Sequence, residues 1–353
     1  MAKKNNKQKR DKPTNVSVSE FNYPFRNIVL EGGGARGVAY GGTLLIMEER
    51  GILQKLERYA GASAGALTAM MLSVGYTAVE IFKILIKFNF NDLLDDSWGI
   101  SKDLYRVYNE YGFYKGEYLQ EYVRKLIAAK TDIPNMTFQQ LYDLTKKDLI
   151  LVATNVSKDS TVYLSHYTTP NMPVDLGVRA SMSIPFMFKP VIYRGDYLVD
   201  GGVSCNYPIN IFDGDYPNDD FDGLFKATNS ETIGLKLMGA DETRSKRIFT
   251  NPHPVTNIAN YGTAILTHML NRMERSAIKV GYYERSLIVP TGNMATSDFD
   301  LTLEDKLNAI NYAKEIANEE LDYFKTNKNF STMTHSKNQT NKKQKKSKLN
   351  SKM

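Results

Sequence analysis

Gly61-Ala62-Ser63-Ala64-Gly65 decides the fold, together with the glycine-rich stretch Leu30-Glu31-Gly32-Gly33-Gly34-Ala35-Arg36-Gly37 that precedes it. The first has the form Gly-x-Ser-x-Gly, in which glycines on both sides of a serine allow a sharp turn from a strand into a helix and leave the serine Oγ accessible. The second follows a short apolar run, and its backbone N–H groups can stabilise a developing oxyanion. Together the two turns predict a nucleophile, Ser63, beside a loop of amide donors.

The segments around these turns predict an α/β fold. Asn27–Leu30 and Leu56–Ala60 are typical of short buried strands, whereas Val38–Arg50 and Ala64–Ser73 are typical of helices. This β-loop-α-β-turn-α order indicates a central, mostly parallel sheet flanked by helices on both faces. Further expectations are a mainly helical region at 77–130, a long helix over Leu303–Phe324, and strands at Leu149–Thr154, Thr161–Ser165, Ile233–Leu237 and Leu287–Pro290. The tyrosines of the helical region are expected to lie in the core, with a lipid-contacting wall near the site as the alternative; they are Tyr105, Tyr108, Tyr111 and Tyr114.

Asp200-Gly201-Gly202 supplies a third element of the predicted site, far downstream of the other two. Tyr197–Val199 is predicted to form the strand that ends at this turn. A carboxylate can take a proton from a serine when it lies within hydrogen-bond reach and is partly desolvated. Asp200 is therefore predicted to be the base that activates Ser63.

With these three motifs the chain resembles the patatin-like phospholipase family. Ala180-Ser181-Met182-Ser183-Ile184-Pro185 and Asn206-Tyr207-Pro208 are similar to the segments before and after the family's aspartate. The resemblance implies hydrolysis of lipid acyl esters by a Ser–Asp dyad through an acyl-enzyme, without a cofactor or a metal. It assigns Ser63 as nucleophile and Asp200 as proton acceptor. It also assigns a set of oxyanion donors within the glycine-rich loop, namely Gly32, Gly33, Gly34, Ala35, Arg36 and Gly37.

The composition divides the chain into four segments. Residues 1–20 are rich in Lys, Asn and Ser and are expected to be a disordered basic tail. Residues 26–212 are expected to form the patatin-like catalytic core, and 213–325 the C-terminal part of the same α/β domain. Residues 326–353 form a second tail, rich in lysine and also expected to be disordered.

The net charge of +6 comes from the two ends of the chain. Residues 1–13 carry a net charge of +5 and residues 325–353 a net charge of +9, which leaves −8 for the body between them. The basic tails are suited to an anionic membrane surface, although solvated tails that only keep the protein in solution fit equally well. The expected substrate is a phospholipid or another acyl lipid, no nucleic-acid partner is predicted, and the oligomeric state is left open.

The cysteine count and the first residues bear on the compartment. Cys205 is the only cysteine, so no intrachain disulfide can form, which is typical of a reducing compartment. The basic start lacks the apolar core of a secretory signal. Tyr59–Val79 is uncharged over a length that could span a bilayer, but its glycines, serines and threonines favour a buried helix behind the serine turn. These observations predict an intracellular, cytoplasmic protein, peripheral to a membrane at most.

Three alternatives stay open on the sequence. The glycine-rich loop also fits the dinucleotide fingerprint Gly-x-Gly-x-x-Gly, for which Glu57 has the expected distance of the acidic partner but lies near the start of its predicted strand. A Ser-His-Asp esterase would add His253 or His268 to Ser63 and Asp200. A membrane-surface binding protein without turnover would keep the fold only.

One acidic segment bears on metal binding. Asn218–Gly223 is faintly similar to a calcium-binding loop, but its twelfth position would be Asn229 instead of glutamate. We therefore interpret this segment as an acidic surface loop.

Overall fold

The structure, a computed structural model, describes residues 22–94, 108–214, 227–239 and 283–326. The basic segment 1–20, the acidic segment 218–223 and the two candidate histidines His253 and His268 lie outside these ranges. Residues 327–353 of the C-terminal tail also lie outside the described ranges.

The described residues form one eight-stranded sheet and one two-stranded sheet. Their strands are β1 (Asn27–Leu30), β2 (Arg58–Ala62), β3 (Gly112–Tyr114), β4 (Asp148–Asn155), β5 (Ser160–Leu164), β6 (Phe186–Phe188), β7 (Val191–Tyr193), β8 (Asp196–Asp200), β9 (Thr232–Met238) and β10 (Ser286–Pro290). The larger sheet has the order β10-β9-β1-β2-β4-β8-β7, with β5 also paired to β4, and β3 pairs with β6.

Seven helices accompany the sheets in the described parts of the chain. They are α1 (Tyr40–Glu49), α2 (Ala64–Ser73), α3 (Ala78–Lys87), α4 (Glu117–Thr131), α5 (Phe138–Thr145), α6 (Val174–Ser181) and α7 (Leu303–Thr326). None of these helices has both the length and the apolar character that a membrane span requires.

The pairing confirms the predicted mostly parallel sheet. β10, β9, β1, β2 and β4 run parallel to one another in that order, and every residue of β1 and β4 is buried because helices cover both faces. β5 and β8 pair with β4 in an antiparallel sense, and β7 pairs with β8 in the same way.

The register along β4 explains how two distant parts of the sequence meet. Ala62, the last residue of β2, pairs with Val152, and Asp200, the last residue of β8, pairs with the next residue, Ala153. β5 pairs with the same stretch of β4 in an antiparallel sense, so it occupies the opposite edge. β2 and β8 therefore meet end to end on one edge of β4, which brings Ser63 next to Asp200.

Several element boundaries differ from the sequence-based expectation. α1 begins at Tyr40 instead of Val38 because Gly34–Ala39 forms a separate 3₁₀ turn. The strand expected at Leu56–Ala60 lies two residues later, and the mainly helical region 77–130 contains the short strand β3. The expectation that the tyrosines of this region lie in the core is wrong for Tyr108 and Tyr111, which are exposed. Tyr105 lies outside the described residues.

Candidate active site

Ser63 occupies the sharp turn between β2 and α2. Its backbone has φ 51° and ψ −124°, a left-handed conformation that is strained for a residue with a side chain. A Cβ on Gly61 would lie 2.5 Å from the carbonyl carbon of Gly65, and one on Gly65 would lie 2.3 Å from the carbonyl oxygen of Leu30. The turn therefore has the geometry of a nucleophile elbow, in which both glycines are needed for close backbone packing.

The hydroxyl of Ser181 holds the backbone of the elbow. The Ser63 N–H donates to Ser181 Oγ at 3.0 Å, and this hydroxyl donates in turn to the carbonyl oxygen of Val152 at 2.5 Å. Ser181 ends helix α6 and is fully buried. The sequence singled out the segment around Ser181 only by resemblance, without a role for this hydroxyl.

Asp200 ends β8 beside the elbow and is only 3% exposed. Its Oδ1 accepts the Gly202 N–H at 2.7 Å, whereas the buried Oδ2 has no hydrogen-bond partner among the described residues. Burial raises the pKa of Asp200 to about 6, and the nearby Ser63 hydroxyl and the Gly202 amide offset only part of that rise. The Ser63 hydroxyl is near enough to favour the carboxylate without completing a hydrogen bond, and such bonds often tighten only when substrate binds.

The glycine-rich loop uses several of its amides for its own structure. The Gly32 N–H donates to the carbonyl oxygen of Asn206 at 3.0 Å, and the Ala35 N–H donates to that of Thr296 at 3.0 Å. The Arg36 N–H donates to Gly33 at 3.1 Å. Three of the six amides that the resemblance nominated are thus engaged elsewhere.

The N–H groups of Gly33, Gly34 and Ala64 have no such acceptor among the described residues. Gly33 immediately precedes the 3₁₀ turn, Gly34 begins it, and Ala64 is the first residue of α2. The first N–H groups of a helix have no partner within it, and the residue after the nucleophile commonly donates to the oxyanion. Gly34 has φ +54°, and a Cβ there would lie 2.2 Å from the Thr296 carbonyl oxygen, so only glycine fits.

The start of the loop is anchored by a buried ion pair that the sequence did not suggest. Glu31 is fully buried, and its Oε1 lies 2.7 Å from Nζ of Lys236 on β9. Its Oε2 accepts the Leu237 N–H at 2.8 Å, and its carbonyl oxygen accepts the Tyr40 hydroxyl at 2.5 Å. These contacts fix the end of β1, from which the loop departs.

Arg36 lies inside the protein. Arg36 is only 6% exposed, and its side chain packs against Gly33, where an added Cβ would lie 3.5 Å from Arg36 Nε. Arg36 is therefore packed against the glycine-rich loop and is not a surface charge.

An apolar cavity opens beside Ser63. Its walls are almost entirely hydrophobic; the exceptions are Ser63, Thr68 and two loop glycines. Most of the hydrophobic residues come from α2, α3 and α4 and from the segments around Phe90, Ile184 and Phe299. The lining residues are Gly34, Gly37, Val38, Ser63, Ala64, Leu67, Thr68, Ile84, Leu85, Phe88, Phe90, Leu93, Leu119, Tyr122, Met182, Ile184, Phe188 and Phe299. A lining of this kind suits an acyl chain.

The geometry bears on two of the alternatives. Glu57 precedes β2 and so lies at the strand end opposite to Ser63, where it pairs with Arg26 at the surface. A dinucleotide ribose would need the acid at the carboxyl end, so this interpretation is not supported. His166, the one histidine in the described parts of the chain, is stacked against Tyr142 beside Asp148, the first residue of β4, and not at the elbow.

Comparison with known proteins gives consistent matches. A sequence profile of patatin-like phospholipases matches residues 28–213, more than half of the chain. The chain is 31% identical over 296 residues to an uncharacterised protein of Acanthamoeba polyphaga mimivirus, with 83% of this chain and 91% of that protein covered. It is 32% identical over 190 residues to a probable lipid hydrolase of Invertebrate iridescent virus 6, with 53% and 63% covered. The fold is similar to that of VipD from Legionella pneumophila, with a TM-score of 0.55 and 20% identity over 85% of this chain and 67% of that one.

Proposed function

The chain belongs to the patatin-like phospholipase family, a family of lipid-hydrolysing enzymes, and from this premise we propose that it cleaves acyl esters of phospholipids or related lipids with Ser63 as nucleophile and Asp200 as general base. The observation that carries the proposal is the buried Asp200 Oδ2, which accepts no hydrogen bond from any described residue and lies beside the hydroxyl of an elbow serine. A carboxylate in that state takes up a proton more readily than one in water.

The reaction then proceeds in two halves. Asp200 takes the proton of Ser63 Oγ, the oxygen attacks the ester carbonyl carbon, and the amides of Gly33, Gly34 and Ala64 stabilise the oxyanion. Collapse of this intermediate expels the alcohol, which takes the proton from Asp200, and leaves an acyl-enzyme on Ser63. Asp200 next activates water, whose attack releases the fatty acid and restores the serine. The apolar cavity beside Ser63 receives the acyl chain.

Replacement of the nucleophile tests the proposal. Ser63→Ala is expected to fold normally and to lose hydrolysis of a fluorogenic short-chain ester by about a thousandfold or more, since the covalent route is removed. Analysis of phospholipids before and after incubation identifies the bond that is cut. Wild-type turnover in the purified alanine variant would contradict the proposal, and an inactive wild-type protein that binds lipid vesicles would favour the binding-protein alternative.

The triad alternative is tested in the same assay. His253→Ala and His268→Ala are expected to keep most of the activity, because the proposed dyad needs no histidine. If either folded variant is as inactive as Ser63→Ala, the mechanism is a Ser-His-Asp triad.

The basic tails support a further element of the proposal, binding to an anionic membrane. Residues 325–353 carry nine lysines and no acid. Each cation near an anionic bilayer contributes about 1 kcal/mol, and salt screens this attraction. A chain that ends at Phe324 should therefore sediment less with anionic vesicles at low salt and equally at high salt. Equal binding at low salt would leave the tail as a solubilising extension.

A further inference from the structure

The last turn of α6 and the residues after it contact both proposed catalytic residues. Ser181 Oγ accepts the Ser63 N–H at 3.0 Å, and the Ser183 carbonyl oxygen accepts the Asp200 N–H at 2.8 Å. We propose that Ser181 is a positioning residue, whose hydroxyl fixes the backbone of the nucleophile elbow so that Ser63 Oγ faces Asp200. This inference rests on the proposed function of Ser63 and Asp200.

The Ser181 hydroxyl uses both of its hydrogen-bonding abilities in this contact. It accepts from the Ser63 N–H and donates to the Val152 carbonyl oxygen, so its orientation is fixed from two sides. Val152 is the β4 partner of Ala62, the residue before the nucleophile. Ser181 thus connects the elbow to the sheet at the point where β2 ends.

The strained backbone of Ser63 makes such a contact necessary. A non-glycine residue with φ 51° persists only when its surroundings hold it there. The Ser63 carbonyl oxygen is held by α2, because it accepts the Ala66 N–H at 2.9 Å. Ser181 supplies the corresponding contact on the amide side, so both peptide units that flank the nucleophile are fixed.

The turn itself is rigidly mounted. The buried guanidinium of Arg179 donates to the Gly116 carbonyl oxygen at 2.9 Å and to that of Lys189 at 2.7 Å, and it also contacts Ser183 Oγ. Ser183 Oγ donates back to the Arg179 carbonyl oxygen at 2.6 Å. A fixed turn that holds the nucleophile by one residue and the base by another sets the distance between them.

Ser181→Ala tests the role, with Ser73→Ala as the matched control. Ser73 is also a fully buried serine whose hydroxyl donates to a backbone carbonyl, that of Met70 at 2.8 Å, but it lies at the far end of α2. For Ser181→Ala we expect kcat and the rate of Ser63 labelling by a fluorophosphonate probe to fall about tenfold, with KM within about twofold. Ser73→Ala should keep both rates.

Two further measurements separate positioning from general stability. The acid limb of kcat/KM in Ser181→Ala should move to higher pH, because a displaced Ser63 hydroxyl no longer favours the Asp200 carboxylate. Ser63 should be labelled faster in Ser181→Thr, which keeps the hydroxyl, than in Ser181→Val, whose side chain has the same shape as threonine without the hydroxyl. If the alanine variant does not fold, this pair of variants decides the question. Equal labelling rates in Ser181→Ala and Ser73→Ala, or in the Thr and Val variants, would overturn the inference.

The inference and the proposed function fail in different ways. If wild-type protein neither hydrolyses esters nor reacts with the probe at Ser63, the proposed function is wrong. If wild-type protein does both and Ser181→Ala behaves like wild type, only the role of Ser181 is wrong.

Discussion

Glu31 and Asp200 are both buried carboxylates at strand ends beside glycine turns, but their surroundings are opposite. Glu31 faces the Lys236 ammonium at 2.7 Å and also accepts the Leu237 N–H at 2.8 Å. Asp200 accepts one amide, that of Gly202, and forms no ion pair with any described residue. The same chemical group is therefore neutralised at the start of the glycine-rich loop, whereas beside Ser63 it has no cation among the described residues.

The difference shows what separates a buried carboxylate held in an ion pair from one with a raised pKa. A buried carboxylate with a cation and an amide donor is stabilised as an anion and holds its surroundings in place. A buried carboxylate without a cation binds its proton more strongly, so the pKa of Asp200 rises to about 6. Burial without a cation from the described part of the chain destabilises the ionised protein and at the same time makes the carboxylate a better proton acceptor.

Asp200→Asn gives the largest expected effect on activity. The amide keeps the shape and removes the base, so kcat should fall by roughly a thousandfold. The measurement is turnover of a fluorogenic ester by purified variant, with folding checked by circular dichroism. A folded asparagine variant that keeps a tenth or more of the wild-type rate would show that Asp200 is not the base.

The same substitution should raise stability. The native pKa of about 6 exceeds the ordinary value of 3.8, so the folded protein loses stability as pH rises between these values and the Asp200 carboxyl ionises. Asp200→Asn should therefore raise the free energy of unfolding at pH 8 by up to about 3 kcal/mol, with little difference at pH 4. Urea unfolding at both pH values measures this, and a destabilised variant at pH 8 would contradict the comparison.

Glu31→Gln is expected to act in the opposite direction. It removes the carboxylate that faces Lys236 in a buried site, which should cost about 3–5 kcal/mol in the free energy of unfolding. Lys236→Met should cost a similar amount, and the double variant less than the sum of the two, because the residues form one pair. Additive losses in urea unfolding would show that the pair is not coupled.

The pH dependence of the wild-type enzyme separates the two carboxylates directly. The proposed base must be ionised, so kcat/KM should rise about tenfold per pH unit below about 6 and level off above that value. Glu31→Gln should lower the amount of folded protein but keep the midpoint. An acid limb near the ordinary aspartate value would show that Asp200 titrates as a solvated group.

Glu320 gives the smallest expected effect and a control for burial alone. It lies on α7, and its Oε2 accepts the N–H of Ile288 on β10 at 2.7 Å. β10 is the third strand from β2 in the sheet, so Glu320 is far from the elbow. Burial raises the pKa of Glu320 to about 7. Because Glu320 is only partly buried, solvent screens its charge, and Glu320→Gln should gain only about 1 kcal/mol of stability at pH 8.5 and none at pH 4, with unchanged turnover. Loss of activity in this variant would show that a raised pKa far from Ser63 also matters for function.

The candidate site was predictable from sequence wherever the signal is local. The elbow glycines, the loop glycines and the Asp-Gly-Gly turn are recognised because backbone sterics allow few residues in sharp turns. The same local sterics act at helix ends: Gly51 follows α1 with φ +69°, and Thr302 before α7 accepts the Asp305 N–H at 3.1 Å.

What the sequence left out are contacts between residues far apart along the chain. Ser181 contacts Ser63 across 118 positions, and Lys236 contacts Glu31 across 205. No local sequence pattern marks such partners, because the residues next to a serine or lysine in sequence do not show which distant residue it contacts after folding.

The sequence by itself determined the α/β class, the family and the two residues proposed to carry the chemistry, because turn sterics and apolar patterning act over a few residues. The tertiary structure decided the end-to-end meeting of β2 and β8 on one edge of β4. It also decided which loop amides have no acceptor, and which buried carboxylate has no cation, among the residues that the structure describes. These depend on strand register and burial, which arise only when distant segments pack together.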